Sequence, residues 1–501
     1  MDILHSLGQG FFVAFQLNHL IFCAIGVLIG TLVGVLPGIG PTGAMALLLP
    51  ITFRIDPASS LIMLCGIWYG CQYGGSTTSI LVNIPGEASS VVSCIDGYQM
   101  ARKGKAGPAL GIAAWGSFIA GTISIIGLMM VAAPLARAAL SFGAPEYFAV
   151  VCAAMMIVTY LAQGSILKAL IMVLLGFFLS TIGLDMFTGL PRFTFGVDGL
   201  EDSISMAAMA MGLFGVSEVL ENIEDFATRE VYTKRISHLY PSYADWMASK
   251  FAILRGSIIG FFLGVLPGGG ATVSSFVSYA VEKKVSNHPE EFGKGAIQGV
   301  AGPESANNGA TGGSLIPLLS LGLPANVSMA MLYSALIVQG IRPGPFFISS
   351  HPDLFWGLIA SMYIGNILLL ILNLPLIGLW VQVLKIPPKM LLPLILLFCV
   401  IGAYSIDNRA FDLHVMIFFG VLGYVGKKFG YEMAPLLLAY VLGPLLENSL
   451  RQALLMSRGS FLIFFSRPIS GTIMAIALLV LLSNLVPFFK KRREQYETFK
   501  E

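Results

Sequence analysis

Two runs of small polar residues, set in an otherwise apolar chain, carry the groups that could recognise a ligand. The first is Tyr73-Gly74-Gly75-Ser76-Thr77-Thr78-Ser79, leading to Asn83-Ile84-Pro85-Gly86-Glu87. The second is Pro303-Glu304-Ser305-Ala306-Asn307-Asn308, through Thr311-Gly312-Gly313-Ser314 to Leu323-Pro324-Ala325-Asn326. On a helix Ser76, Ser79 and Asn83 fall at i, i+3 and i+7, and Asn307, Thr311 and Ser314 at i, i+4 and i+7, so each set shares a face. Such hydroxyls and amides suit a carboxylate or the oxygen shell of a cation. Small residues and hydroxyls equally serve packing between membrane helices. Two runs of the same kind, each beside a proline break, favour a site. Glu304, after Gly302-Pro303, and Glu87, after Pro85-Gly86, are candidates for a coupling cation or proton, since ionisable groups in membrane segments are costly. Each could instead cap a helix N-terminus.

The breaks themselves recur. Gly34-Val35-Leu36-Pro37-Gly38 returns unchanged as Gly264-Val265-Leu266-Pro267-Gly268, and Gly40 and Gly270 extend the match. Proline drives the preceding residue out of the helical region, so helices should end at Leu36 and Leu266. The glycines Gly38, Gly40, Gly268, Gly269 and Gly270 then let backbone amides turn and approach a ligand. Paired broken segments in two halves of a membrane protein point to a transport site.

The elements that hold these residues must be membrane helices. Of 501 residues 56% are hydrophobic and 11% charged, and the mean hydropathy is +0.81. A soluble fold lacks the polar surface to cover so much apolar sequence, and disorder requires the opposite composition. A formal net charge of +2 gives no footprint for nucleic acid. Apolar stretches run near 12–36, 57–74, 108–133, 146–162, 166–184, 252–266, 325–341, 354–384, 390–405, 410–426, 432–446 and 467–489. The expectation is an all-α polytopic membrane protein of about ten to twelve transmembrane helices, with two broken or re-entrant regions arranged as inverted repeats. Residues 1–220 form an N-terminal membrane half, 221–250 a polar connection, 251–489 a C-terminal membrane half and 490–501 a basic tail. Lys490-Lys491-Arg492-Arg493 places that tail in the cytoplasm. The first apolar stretch lacks a basic leader and is read as a retained helix. Arg451, Arg458 and Arg467 strain the charge rule, which points to a surface helix there.

The remaining candidates are structural. The six cysteines, Cys23, Cys65, Cys71, Cys94, Cys152 and Cys399, show no disulfide or zinc spacing. His19, His288, His351 and His414 show no metal-ligand spacing. Asp96, Asp185 and Asp198 read as interfacial, Arg102, Lys103 and Lys105 as an orientation signal, and Lys168 as a snorkelling side chain. No Walker A or HExxH motif occurs, and neither Ser76 nor Ser305 has a histidine or lysine at helical spacing. A membrane-embedded enzyme is therefore disfavoured, while a permease or channel of another class for small anions stays open.

The stretches Gly34–Gly43 (GVLPGIGPTG), Tyr73–Glu87 (YGGSTTSILVNIPGE) and Gly302–Asn308 (GPESANN) resemble the large membrane subunit of tripartite tricarboxylate transporters, and the likeness spans nearly the whole chain. The resemblance implies a secondary transporter of the bacterial inner membrane. It implies a small four-helix membrane subunit and a periplasmic solute-binding protein as partners, besides membrane lipid. It further implies an organic carboxylate as substrate and a sodium or proton gradient as driving force, with no other cofactor. Substrate contacts then fall to Ser76, Thr77, Thr78, Ser79 and Asn83, to Asn307, Asn308, Thr311 and Ser314, and to the break glycines. The second half has Leu323-Pro324-Ala325-Asn326 where the first has Ile84-Pro85-Gly86-Glu87, so the halves are not equivalent at the ligand.

Overall fold

The computed structural model describes residues 3–36, 40–52, 54–162, 165–224, 239–384 and 388–483. Gly38, residues 225–238 of the polar connection and the basic tail lie outside them. Among the described residues the chain is helical apart from one antiparallel ribbon, Gly183–Leu184 with Pro191–Arg192. This is an all-α polytopic membrane fold. Among the described residues seven helices are long and apolar enough to cross a bilayer, and further apolar helices of 10–17 residues accompany them.

The two most deeply buried helices are not among those seven. Pro57–Val82 is buried from Ala58 to Val82, and Gln298–Leu321 from Gly299 to Ser320. Their neighbours are protein rather than lipid, so their sequences can hold glycine, serine and asparagine where a lipid-facing helix needs leucine. Each carries one of the two polar runs.

Glycines set both helices in place. Gly26, Gly30 and Gly34 of the Leu17–Val35 helix press against the backbone at Met63, Ile67 and Cys71 of Pro57–Val82. Gly256, Gly260 and Gly264 of Tyr243–Val265 press in the same way on Gly302, Ala306 and Ala310 of Gln298–Leu321. The grooves answer each other: Gly70 and Gly74 take the carbonyls of Val27 and Thr31, as Gly309 and Gly313 take those of Ser257 and Phe261. In both pairs the contacts ascend together, so the paired helices run parallel. The two pairs oppose one another. Ser76 meets Glu304 while Ile80, further along, faces Val300 across Gly97.

Both first helices end where proline requires. Helices stop at Val35 and Val265, and Leu36 (ψ 103°) and Leu266 (ψ 131°) are extended caps. The chain restarts as Gly40–Thr52 and Gly270–Val285, each opening on a left-handed glycine, φ +62° at Gly40 and +48° at Gly270. Side chains rarely adopt that conformation, which explains the residue type. The second run of each half ends alike, at Asn83 (φ +60°) and Gly322 (φ +73°).

Several elements differ from the sequence reading. The first apolar stretch divides into Ile3–Ala14 and Leu17–Val35. The polar connection is helical at both ends, in Ser217–Glu224 and from Tyr243 onward. Ser242 and Asp245 form a reciprocal capping box, with Ser242 N–H donating to Asp245 Oδ2 at 2.9 Å, so the Tyr243–Val265 helix begins before its apolar run. A span at Met206–Ile223, hidden by its low apolarity, contains the π-helical turn Met211–Val216. Arg451 sits on no separate surface helix: it continues Ala434–Met456 and pairs with Asp185 at 2.8 Å. Asp185 and Asp96 are buried within the protein.

Exposed apolar stripes face outward. Leu17, Ile21, Ile25 and Leu28 line one helix, and Met247, Phe251, Leu254, Ile258 and Phe262 its counterpart. This is the surface that lipid covers. The glycine contacts give a direct prediction. Gly260→Val drives a side chain into the Ala306 backbone and should lower stability by at least about 1–3 kcal/mol. Gly8→Ala, with open space around it, should leave thermal unfolding in detergent unchanged.

Candidate functional site

One cavity of about 870 Å³ gathers the breaks of both halves. Gly40, Pro41, Thr42 and Gly43 line it from the first restart, and Gly268 to Val273 from the second. Pro85, Gly86 and Glu87 follow the first polar run into it, and Asn326, Val327 and Ser328 follow the second. Close backbone ties hold this arrangement. Gly268 N–H donates to the Ala325 carbonyl at 2.9 Å, Gly86 packs on Gly34, and the hydroxyls of Thr42 and Ser328 lie 3.1 Å apart. The cavity thus sits where two helices begin. Each helix N-terminus leaves N–H groups without intrahelical partners and carries the positive end of its dipole. Gly269, the N-cap of Gly270–Val285, brings no side-chain cap to that end.

Further donors stand in the lining. Trp68 Nε1 is buried without a partner. Asn326 spends its Oδ1 on the Met329 N–H, capping the Val327–Val338 helix, which leaves Nδ2 unpaired. Gln72 bonds Ser89 through one end of its amide, and the other end, Nε2, has no partner. A buried polar group without a partner costs about 1–3 kcal/mol, and a ligand oxygen would relieve it. Such a lining can take an anion by hydrogen bonds and dipoles alone.

The lining also contains charge that sequence reasoning missed. Glu218 and Glu221 enter from the Ser217–Glu224 helix and Lys427 from the end of Ala410–Lys428. Lys427 Nζ lies 2.6 Å from Glu218 and 2.9 Å from Glu221. The sequence reading puts Glu221 at the edge of the polar connection and Glu218 inside the first membrane half, and it assigns Lys427 no ligand. No short motif joins positions so far apart; the signal is the i, i+3 acidic pair at a helix end.

The polar faces proposed from helical spacing lie elsewhere. Gly40, Gly268, Gly269, Gly270 and Glu87 line the cavity; Ser76, Thr77, Thr78, Ser79, Asn83, Asn307, Asn308, Thr311, Ser314 and Glu304 do not. Thr78 Oγ1 donates to the Val35 carbonyl at 2.6 Å, and Ser79 Oγ lies 2.9 Å from Ser90 Oγ. Thr311 and Ser314 donate to carbonyls of their own helix, Asn308 and Thr311. Thr77 is buried, and Asn83 is the left-handed cap of its helix.

Glu304 is the centre of a separate network. Its carboxylate accepts from Ser76 at 2.5 Å, from Ser93, and from Asn307 Nδ2 at 3.1 Å. Asn308 links Asn307 to Ser117 at 2.6 and 2.8 Å. These donors come from both helix pairs, so the carboxylate joins them with every named contact inside protein. Asp96, three residues beyond Ser93, does similar work. One oxygen accepts from the N–H groups of Gly293, Gly295 and Ala296, and the other from the Tyr279 hydroxyl at 2.9 Å. Among the described residues no group of three or more His, Cys, Asp and Glu could hold a metal ion.

Removing the Glu304 carboxylate should leave the buried Ser93 and Asn307 donors unsatisfied, while Ser76 keeps only the Gln72 carbonyl at 3.2 Å. Glu304→Ala should therefore lose several kcal/mol, at about 1–3 kcal/mol for each group. Glu304→Gln keeps acceptor and shape, and should lose clearly less in the same thermal unfolding measurement.

A family model described as the tripartite tricarboxylate transporter TctA family matches residues 20–438. An uncharacterized 52.8 kDa protein in the TAR-I ttuC' 3'region of Agrobacterium vitis is 53% identical over 495 residues, 99% of each chain. An uncharacterized protein in the TAR-II ttuC' 3'region of the same organism is 56% identical over 236 residues, which are 47% of this chain and 98% of that one. No solved structure matches the chain.

Proposed function

The chain belongs to the tripartite tricarboxylate transporter TctA family, and from that premise we propose that it is the permease subunit that moves an organic carboxylate through the cavity between its two breaks. One observation carries the reading: two broken-helix N-termini, at Gly40 and Gly270, line the same cavity. Helix N-termini favour anions without any arginine. The unpaired Trp68, Gln72 and Asn326 groups add directional donors.

Cation coupling follows from charge. The lining holds Glu87, Glu218, Glu221 and Glu432 against Lys427. An anion entering that acidic surround is repelled unless cations enter with it. Sodium or protons serve, and Glu87 is the better-placed acid for this role. Glu304 remains a candidate for coupling through its network to Ser76, although it lies outside the cavity.

The two-half organisation supports transport by alternating access. The glycine contacts of one helix pair recur in the other, and the pairs run in opposite directions. We read residues 1–220 and 251–489 as inverted repeats with the cavity between them. The family implies a small membrane subunit and a periplasmic binding protein as partners. The carboxylate then arrives from the periplasm of an inner-membrane complex whose C-terminus is cytoplasmic.

Counterflow tests the reading. Proteoliposomes holding the assembled complex and loaded with citrate should take up labelled citrate by exchange, which neither a channel nor an enzyme does. Absence of exchange with citrate, succinate and acetate alike, in sodium or at acid pH, would show the proposal to be wrong. Gln72→Leu should weaken citrate binding about fivefold to tenfold, the loss of one hydrogen bond. Glu304→Gln should change the sodium or pH dependence of exchange; unchanged dependence would assign the residue to structure alone.

A further inference from the structure

Among the described residues Lys427 is the one basic residue that lines the cavity. Its ammonium has three donors, and Glu218 Oε2 at 2.6 Å and Glu221 Oε2 at 2.9 Å take two of them. The three side chains are neither buried nor free, with relative exposures of 28% for Lys427, 27% for Glu218 and 54% for Glu221. Ion pairs that water reaches are weaker than buried ones, and the pair with the half-exposed Glu221 contributes little, about 0–1 kcal/mol. They can therefore exchange partners at small cost. A fully buried pair such as Glu304 with its donors cannot.

The acids and the lysine come from different helices. Glu218 and Glu221 stand just after the π-helical Met211–Val216 turn, and Lys427 ends Ala410–Lys428. The helices meet closely above the charges, where Gly212, Gly420 and Gly423 pack on the facing chain. Backbone packing therefore holds the helices together, and the charges are not needed for that. An excess of one carboxylate over what Lys427 neutralises is left at the cavity wall.

Resting on the carboxylate reading of the cavity, we propose that Lys427 is its anion-recognition residue, masked by Glu218 and Glu221 until a substrate carboxylate takes the ammonium from them. The exchange conserves ion pairs on the anion side and releases two carboxylates on the other. Those carboxylates have no second cation in the lining, so an incoming monovalent cation becomes their partner. Anion recognition and cation recruitment are thereby one event. The device also selects charge, because a polycarboxylate displaces two acids better than a monocarboxylate does.

The test uses the full chain in lipid nanodiscs, with radiolabelled citrate as probe and sodium or choline as the cation. Wild type should bind citrate more tightly in sodium. Lys427→Met should weaken binding roughly tenfold to a hundredfold, the effect of one charge-assisted hydrogen bond. Glu218→Gln with Glu221→Gln should keep citrate binding but flatten its sodium dependence. The exchange pair Lys427→Glu with Glu218→Lys separates recognition from structure: it should restore the thermal stability of wild type without restoring citrate binding. Citrate affinity that survives Lys427→Met within twofold, or returns in the exchanged pair, would overturn the proposal. Failure of wild type to bind citrate, succinate or acetate in either salt would overturn the carboxylate reading itself, and this proposal with it.

Discussion

Backbone-to-backbone contact between helices is the constraint on which the rest of the structure depends. At Gly30 against Ile67 and at Gly260 against Ala306 there is no room for a side chain, so helices approach until carbonyls and Cα atoms touch. Such approach replaces the hydrophobic effect, which gives little drive between helices in lipid. Its result is that Pro57–Val82 and Gln298–Leu321 are surrounded by protein on every side. Polar groups stand at membrane depth where protein surrounds them, and the core of each polar run lies on one of those helices.

Two kinds of polar group result. Glu304 and Asp96 are saturated with donors that neighbouring helices and loops supply, and they join the helices that carry them. The groups at the cavity are incomplete: Trp68 and Asn326 keep unpaired N–H donors, and the restarts at Gly40 and Gly270 keep helix N-termini. The same low-dielectric setting that strengthens the first set makes the second costly without a ligand. Saturated networks fix the frame, and unsaturated ones mark where the frame expects a visitor.

Much of this was legible in the sequence, and the misses share a cause. The duplicated GVLPG correctly marks two helix ends, because proline acts locally on Leu36 and Leu266. The repeat reaches further back than that motif, through Gly26 and Gly30 to Gly256 and Gly260, and that spacing was readable in the sequence itself. Helical periodicity groups Ser76 with Ser79, and Asn307 with Thr311, but cannot say what faces them. The facing group for Ser76 is Glu304, from the other polar run. Spacing along one helix carries no information about a partner more than 200 positions away. For the same reason Glu218 and Lys427 escaped notice, since only the fold brings them together.

The Asp96 clasp has a mechanical consequence. It fastens the loop before Gln298–Leu321 to the Val91–Arg102 helix, while Glu304, about two turns into Gln298–Leu321, fastens that helix to Ser76 and Ser93. Two fixings on one rod remove its freedom to slide and to tilt. The inner helices are thereby tied into a single piece, a stator, and the part-exposed ion pairs of Lys427 with Glu218 and Glu221 lie on other helices, outside it.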